Sequence, residues 1–175
     1  MRKGILPRLI AALIAVSLMV SCSKSEKSVE DCLGELSYDS SVSAMVYEEV
    51  EGEDGAKGIQ YRRVTDVDSL KKQEEITILF YFYNPTRSDL AGVTAGVEDL
   101  AQTLDGQLLV VAVDTMQERE LVTYYCVEGI PGFVLSRGGK IVSSFDGQER
   151  VSWTMSDVVD WVENYGFVPD MSLLE

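Results

Sequence analysis

The sequence predicts an α/β fold of three layers, in which helices flank a central mixed β-sheet. Two apolar runs carry this prediction, residues 76–83 (ITILFYFY) and 108–113 (LLVVAV). A strand that is apolar on both faces belongs inside a sheet that is covered on both sides. A helical pattern separates the two runs, so they are expected to be parallel strands of a right-handed β-α-β unit. A hairpin after Pro131 is expected to extend the sheet antiparallel.

An N-terminal strand extension is expected before this unit. Residues 44–50 and 59–64 have the pattern of strands, and the acidic residues 51–58 between them predict a hairpin turn. The turn lacks the alternating ligand spacing of a calcium-binding EF-hand loop, so we predict no metal site. A short helix over residues 67–73, capped by Thr65 or Asp66, leads into the first buried strand.

The loop after the first buried strand contains the main candidate functional residues. It consists of Asn84, Pro85, Thr86, Arg87, Ser88, Asp89 and Leu90. Asn84-Pro85 ends the strand, and Thr86 or Ser88 can cap the helix that follows. That helix is predicted from apolar residues at intervals of three and four, namely Leu90, Val93, Val97, Leu100, Ala101 and Leu104.

The rest of the chain predicts a helix, a strand, a second strand and a last helix. These elements cover residues 116–125, 133–136, 141–145 and 157–165. The turn Arg137-Gly138-Gly139-Lys140 joins the two strands as an antiparallel hairpin, and Ser156 caps the last helix.

Residues 1–21 are predicted to be a lipoprotein signal peptide. A basic start precedes residues 9–20, an apolar run that is shorter than the roughly 20 residues of a membrane-spanning helix. The run ends LMVSC, which resembles a bacterial lipobox with Cys22 as the lipidated first residue of the mature chain. The alternative is an ordinary cleaved signal peptide. In the lipoprotein interpretation, residues 22–43 form a lipidated tether and N-terminal segment, and residues 44–175 form the folded domain.

Charge and composition exclude several classes of function. The chain has 29 acidic and 15 basic residues and no histidine, for a net charge of −14. Cleavage before Cys22 would leave 154 residues with 12 basic side chains, and therefore a charge of −17. Such a chain is repelled by phosphate backbones, so no nucleic-acid partner is expected. The absence of histidine excludes Ser-His-Asp and Cys-His catalysis and histidine metal ligands.

The order of elements over residues 59–165 resembles the thioredoxin superfamily. Residues that match its pattern in order are Phe82, Asp114, the triplet Gly129-Ile130-Pro131, the turn Gly138-Gly139-Lys140 and Gly147. The resemblance implies that Pro131 is a cis-proline. It also implies a groove at Ile130, Pro131 and Gly132, where the backbone of Ile130 can pair with an extended peptide. Gly132 stands where the family has threonine.

The chemistry of the family is missing from this chain. By the resemblance, the two catalytic cysteines fall on Arg87 and Leu90, and Tyr81 replaces the buried aspartate that assists proton transfer. The family reaction needs a thiolate at a helix N-terminus and a second thiol that resolves the mixed disulfide. No cysteine lies between Cys32 and Cys126, so no shift of alignment restores the pair.

Cys126 and several side chains near the groove have more than one interpretation. Cys126 is a small buried apolar residue, the partner of Cys32 in a disulfide, or a redox-active thiol, which makes it the one catalytic candidate. Arg87 is a solvated side chain or a contact for an anion or a peptide carboxylate. Four tyrosines either line the groove or belong to the core, namely Tyr81, Tyr83, Tyr124 and Tyr125.

These observations favour a redox-inactive, thioredoxin-like lipoprotein that acts as a protein- or peptide-binding module. The expected partner is an unknown envelope protein or an extended peptide, and no cofactor or metal is expected. The expected location is the bacterial cell envelope, with the lipid anchor in the outer membrane and the domain facing the periplasm. The alternative is an atypical thiol-disulfide oxidoreductase or thiol peroxidase-like enzyme that uses Cys126, with or without Cys32.

Overall fold

The computed structural model describes residues 27–50, 52, 55–145 and 152–174. The predicted signal peptide, Cys22 and Gly147 lie outside the described residues. The described strands are β1 (Leu33–Leu36), β2 (Val42–Glu49), β3 (Lys57–Val64), β4 (Thr77–Tyr83), β5 (Leu108–Asp114), β6 (Gly132–Arg137) and β7 (Lys140–Phe145). The described helices are α1 (Val67–Leu70), α2 (Ala91–Thr103), α3 (Arg119–Tyr124) and α4 (Met155–Glu163).

All seven strands form one mixed sheet in the order β1-β3-β2-β5-β4-β6-β7. The central pair, β4 and β5, is parallel, with Thr77 opposite Leu108 and Tyr83 opposite Asp114. β6 pairs antiparallel with β4, and β7 pairs antiparallel with β6. The predicted α/β architecture is therefore confirmed, with the β-α-β unit at the centre and the hairpin at one edge.

The N-terminal extension is also present and contains one strand more than we predicted. β2 and β3 form the expected antiparallel hairpin, and β2 joins the sheet beside β5. The additional strand is β1, which pairs with β3 at the outer edge. Its residues are half-buried or exposed, so it lacks the apolar alternation that would have marked it in the sequence.

Two hydrophobic layers fill the space between the sheet and its helices. On one face, Val97 and Leu100 of α2 and Val158 of α4 pack against strand residues such as Leu79. On the other face, α1 and α3 cover a second cluster that includes Phe80 and Phe82 of β4. Burial of each large apolar side chain contributes roughly 1.5–3 kcal/mol to the free energy of unfolding. This burial explains why β4 and β5 are apolar on both faces.

Three helix boundaries differ from the predictions. α1 ends at Leu70 rather than at residue 73, although Asp66 caps it by accepting a hydrogen bond from the Ser69 amide at 2.9 Å. α3 begins only at Arg119. α4 begins at Met155 because Thr154, not Ser156, precedes it and donates its amide to the Asp157 carboxylate at 2.8 Å.

The two ends of the sheet carry different features, which we call the groove end and the basal end. The groove end contains the carboxyl ends of β4 and β5, at Tyr83 and Asp114, and the start of β6 at Gly132. The basal end contains the β6–β7 turn, where Gly138 and Gly139 adopt φ values of +58° and +73°. The seven residues of β4 separate the ends by roughly 20 Å.

Candidate functional site

The loop at residues 84–90 leaves the groove end of β4 in a tight turn. The side chain of Asn84 accepts hydrogen bonds from the amide of Thr86 at 2.9 Å and from its hydroxyl at 2.8 Å. This local pairing is an Asx turn, which competes with helix capping by the same side chains. Neither Thr86 nor Ser88 caps the following helix, contrary to the prediction, and a 3₁₀ turn at Ser88–Leu90 leads into α2 instead.

Arg87 joins this loop to the segment before β6. Its Nη1 donates to the carbonyl oxygen of Ile130 at 2.9 Å, and its Nε donates to a carboxylate oxygen of Asp89 at 3.1 Å. A second bond runs from Nη2 to the other Asp89 oxygen. Asp89 raises the pKa of Arg87, and Arg87 lowers the pKa of Asp89, by the hydrogen bonds between them. Arg87 is therefore an exposed side chain whose guanidinium pairs with Asp89 and with the Ile130 carbonyl.

The segment that receives this bond is the cis-proline loop, residues 127–131. The Ile130–Pro131 peptide bond is cis, and both residues are half-buried. Gly132 follows as the first residue of β6, opposite Phe82 of β4. A Cβ atom at Gly132 would lie 2.7 Å from Cγ1 of Val127 and 2.9 Å from the carbonyl oxygen of Gly129. This close approach is the physical reason for a glycine at that position.

Two buried side chains lie beneath the loop. Leu90 is buried at the end of the 3₁₀ turn. Tyr81 is fully buried, and its hydroxyl pairs with that of Thr94 at 2.9 Å. Burial raises the pKa of Tyr81, so the phenol stays protonated near neutral pH and cannot accept a proton as a carboxylate does.

This arrangement of a β-α-β core, a helix-start loop and a facing cis-proline loop can be compared with known proteins. The family model described as Thioredoxin matches residues 64–160, more than half of the chain. The chain belongs to the thioredoxin family. Its structure is similar to that of the germline-specific thioredoxin Deadhead (thioredoxin-1) from Drosophila melanogaster, with 20% sequence identity and a TM-score of 0.45. That match covers 52% of this chain and 82% of the other. A search of curated proteins found no match.

The two cysteine positions of the thioredoxin pattern differ in exposure in this family member. Arg87, which we predicted at the first position, keeps 43% of its side chain exposed. Leu90, which we predicted at the second position, is buried against the core. The link from Arg87 to Ile130 was not predicted, because the two residues are 43 positions apart and no sequence pattern connects a guanidinium to one carbonyl oxygen.

Cys126 is exposed, which makes the interpretation as a small buried residue wrong. It follows α3 with φ at +52°, in the left-handed region. Its amide donates to the carbonyl of Thr123 at 3.2 Å, and the amide of Val127 donates to the carbonyl of Val122 at 3.0 Å. This is a Schellman motif with cysteine in the position that glycine usually occupies. The thiol is thus held on the surface by the cap that ends α3.

The candidate disulfide between Cys32 and Cys126 is not present, and both thiols are free. Cys32 is fully buried in the cluster beneath α1, whereas Cys126 lies on the surface. Burial raises the pKa of the Cys32 thiol, which disfavours the reactive thiolate. Cys32 contributes through packing and through its carbonyl, which accepts the amide of Thr65 at 2.8 Å.

Only one of the four candidate groove tyrosines remains partly accessible at the groove end. Tyr83 is half-buried at the end of β4, and its ring stacks on that of Tyr81 with centroids 5.4 Å apart. Tyr125 is buried against Phe80 in the core. Tyr124 points to the basal end, where its hydroxyl donates to the carbonyl of Gly139 at 2.7 Å.

The described residues offer two further findings about the class of site. Within residues 27–50, 52, 55–145 and 152–174, no group of three or more His, Cys, Asp or Glu side chains is arranged to hold a metal ion. In the same part of the chain, no helix is long and apolar enough to cross a membrane.

Proposed function

We propose that this thioredoxin-family chain is a redox-inactive binding module of the bacterial cell envelope, which binds an envelope protein or an extended peptide beside the cis-proline loop. The observation that carries the proposal is the position of Arg87. Where the thioredoxin pattern has its first cysteine, a guanidinium bonds to Asp89 and to the Ile130 carbonyl. Arg87 thus stands where the family has its nucleophilic cysteine, and its bond to Ile130 links the loop at residues 84–90 to the cis-proline loop.

The surroundings support redox inactivity in two ways. Thiol exchange needs an attacking thiolate and a resolving thiol, and Leu90 at the second position supplies none. The buried phenol of Tyr81 stays protonated and offers no general base. The chain therefore lacks the groups of the family reaction at all three positions, Tyr81, Arg87 and Leu90.

The groove end supports binding because it keeps the backbone that an extended ligand would use. Ile130 and Pro131 are half-buried, and the neighbouring Pro85, Thr86 and Ser88 are exposed. A carbonyl oxygen has two lone pairs, so the bond from Arg87 leaves Ile130 able to accept a second donor from a peptide strand. An extended peptide therefore needs no thiol to pair with this segment.

The proposed location rests on the sequence of residues 18–22. Acylation of Cys22 would anchor the domain to a membrane, and the oxidising, extracytoplasmic side is the expected compartment. We propose the outer membrane, with the domain at residues 44–175 facing the periplasm.

The first test asks whether the protein reduces a disulfide. The purified mature chain is assayed for insulin-disulfide reduction with dithiothreitol, beside the variant Cys126→Ser. We expect a rate equal to that of dithiothreitol alone for both proteins. Turnover by the wild type that disappears in Cys126→Ser would overturn redox inactivity.

The second test asks whether the groove end binds a partner. A photo-crosslinking amino acid is placed at the exposed position Thr86 and, as the control, at the exposed position Asp105 beyond α2. In intact envelopes, we expect a discrete protein or peptide adduct from Thr86 that is absent from Asp105. Identical adducts from both positions would contradict a specific site at the cis-proline loop.

A second candidate function is a thiol enzyme that uses Cys126, and the exposure of this thiol favours it. Arg119 is the basic residue of α3, and the acidic residues Glu120 and Glu128 also flank the thiol in the sequence. Cys32 is buried and could act as a resolving thiol only after local unfolding. The insulin assay with Cys126→Ser separates this candidate from the binding module.

A further inference from the structure

The described chain begins beside α1, where Lys27 contacts Asp66 at one end of that helix and Gln73 beyond the other. The carbonyl of Lys27 accepts a hydrogen bond from the side-chain amide of Gln73 at 2.5 Å. The carbonyl of Gln73 in turn accepts the amide of Gly138, in the β6–β7 turn, at 2.8 Å. Lys27 also pairs with Asp66 at 2.6 Å, which fastens this segment to the cap of α1. Lys27 is thus two hydrogen bonds away from the β6–β7 turn.

The short spacing between Cys22 and Lys27 limits how far the basal end can stand from a lipid surface. Five residue steps separate the two positions, and an extended chain spans at most about 3.6 Å per residue, or about 18 Å in all. This step rests on the lipidation of Cys22 in the proposed function.

Positive charge is concentrated at the same place in an otherwise acidic chain. Five of the ten basic residues in the described part lie there, namely Lys27, Lys71, Lys72, Arg137 and Lys140. Lys27 and Lys71 have carboxylate partners, and Glu74 and Glu75 are exposed nearby.

Among the described residues, three of these cations have no carboxylate within ion-pair distance. Lys72 and Lys140 are exposed and form no ion pair among the described residues. Arg137 donates to the backbone carbonyl of Glu74 at 2.7 Å rather than to a carboxylate. Their charge is therefore available to an external anion. An anionic lipid surface repels the rest of this acidic chain and attracts such cations, each of which adds a factor of about five in binding.

Exposed apolar side chains lie beside these cations. Ile141 and Val142 at the start of the edge strand β7 are 44% and 48% exposed. Val142 shares a shallow depression with Arg137 and Lys140, which Glu74 also lines. Tyr124 is 45% exposed, and its hydroxyl reaches the turn at Gly139. Apolar side chains interleaved with lysine and arginine are typical of surfaces that lie in the headgroup region of a bilayer.

The other corner of the basal end has the opposite charge. The β2–β3 hairpin ends there with Glu48 and Glu49, which pair with Gly58 and Lys57 across the strands. An anionic surface repels this corner, so contact is expected on the β6–β7 side alone and the sheet is expected to lean toward that edge.

We propose that the basal corner, defined by Lys72, Arg137, Lys140, Ile141 and Val142, docks on an anionic phospholipid surface. The cations contact lipid phosphates, and the two aliphatic side chains enter the headgroup region. This docking points the cis-proline loop away from the bilayer. The groove then faces the aqueous compartment, where a soluble or extended partner has access to it.

The test measures which end of the domain lies near lipid. Acylated full-length mature protein carrying Cys126→Ser is reconstituted in vesicles of phosphatidylethanolamine and phosphatidylglycerol that contain a headgroup-attached quencher. A fluorophore is attached at Ile141→Cys or, as the control, at Thr86→Cys. We expect severalfold stronger quenching at position 141. Equal quenching at both positions, including the case in which a protein partner occupies the corner instead, overturns the docking.

A charge-matched pair of double variants tests the role of the cations. Lys72→Gln/Lys140→Gln removes two charges from the corner, and Arg63→Gln/Arg119→Gln removes two exposed charges elsewhere. We expect the first pair to lower quenching at position 141 to the level seen on phosphatidylcholine vesicles, and the second pair to leave it unchanged. The same effect from both pairs overturns a specific electrostatic contact.

The intact mass of the protein separates failure of the docking from failure of the proposed function. A mature chain without acyl mass at Cys22 overturns both the proposed anchor and the docking. An acylated chain with equal quenching at positions 141 and 86 overturns only the docking and leaves binding at the cis-proline loop in place.

Discussion

The guanidinium of Arg87 spans two segments that are 43 residues apart in the chain. Its planar fork of donors binds both oxygens of Asp89 and still reaches the Ile130 carbonyl, a geometry that the single ammonium of lysine cannot reproduce. The ion pair is largely exposed, so its contribution to global stability is small. Its effect is local, because it holds the loop at residues 84–90 against the cis-proline loop.

Replacing Arg87 therefore should loosen both loops with little change in melting temperature. In Arg87→Ala and Arg87→Lys, we expect faster amide hydrogen exchange at residues 84–90 and 127–131, measured by mass spectrometry. The lysine variant separates charge from geometry, since it keeps the cation and loses the bridge. Exchange that stays at the wild-type rate in residues 127–131 of both variants would contradict the brace.

Cys126 is a second residue whose backbone decides its energetics. A non-glycine residue in the left-handed region costs about 1–2 kcal/mol. Cys126 adopts this conformation because it lies at the C-terminal cap of α3, where the hydrogen bonds of the Schellman motif require it. We expect Cys126→Gly to raise the free energy of unfolding by about 0.5–1 kcal/mol, measured by urea denaturation. Cys126→Ala keeps the Cβ atom and removes the thiol, so it should leave stability near that of the wild type. Equal stabilisation by both substitutions would rule out backbone strain as the cause.

At the scale of elements, the contact between the cis-proline loop and β6 depends on a missing side chain. A Cβ atom at Gly132 meets the Gly129 carbonyl at 2.9 Å, and a backbone atom cannot move aside cheaply. We expect Gly132→Ala to lower the free energy of unfolding by about 1–3 kcal/mol in urea denaturation. The control is Gly92→Ala in α2, where nothing lies within 4 Å and stability should rise slightly. An unchanged urea midpoint for Gly132→Ala would refute the clash.

The sequence was sufficient for the elements whose patterns are set by burial. β4 and β5 lie under helices on both faces, so nearly every residue in them is apolar and the strands were predicted almost to the residue. β1 lies at the edge with half-exposed residues and left no such pattern. α3 starts late because Asp114 shapes the preceding turn: its carboxylate accepts the Met116 amide at 2.8 Å, and its carbonyl accepts the Glu118 amide at 2.9 Å.

The candidate site was predictable in composition but not in contacts. Counting along the chain predicts that Arg87 and Leu90 stand at the two cysteine positions. The bridge from Arg87 to Ile130, the exposure of Cys126 and the turn of Tyr124 toward the basal end depend on how separate loops meet in space. The periodicity of one segment contains no information about contacts between separate loops.

At the scale of the whole molecule, the excess of negative charge opposes the compact state. The chain carries 29 acidic and 15 basic residues, and removal of the basic N-terminus would increase the imbalance. Self-repulsion of this kind is relieved by salt or by partial protonation of carboxylates. A few carboxylates instead stabilise the folded chain when they are ionised, because they accept specific hydrogen bonds there. Asp66 is the clearest, since Lys27 and Ser69 lower its pKa to about 2.

These two effects predict a maximum of stability on the acid side of neutrality. As pH falls from about 7 to about 4.5, protonation reduces repulsion and the melting temperature should rise. Below about pH 4, Asp66 is protonated in the unfolded chain but stays ionised in the folded chain, where its pKa is about 2. The free energy of unfolding therefore falls progressively toward pH about 2. Melting curves by circular dichroism across this range measure both limbs. Asp66→Asn should have a shallower acid limb than Asp105→Asn, which removes the same charge from an exposed position away from Lys27. Superimposable acid limbs for the two variants would show that Asp66 does not link the N-terminal segment to the stability of the fold.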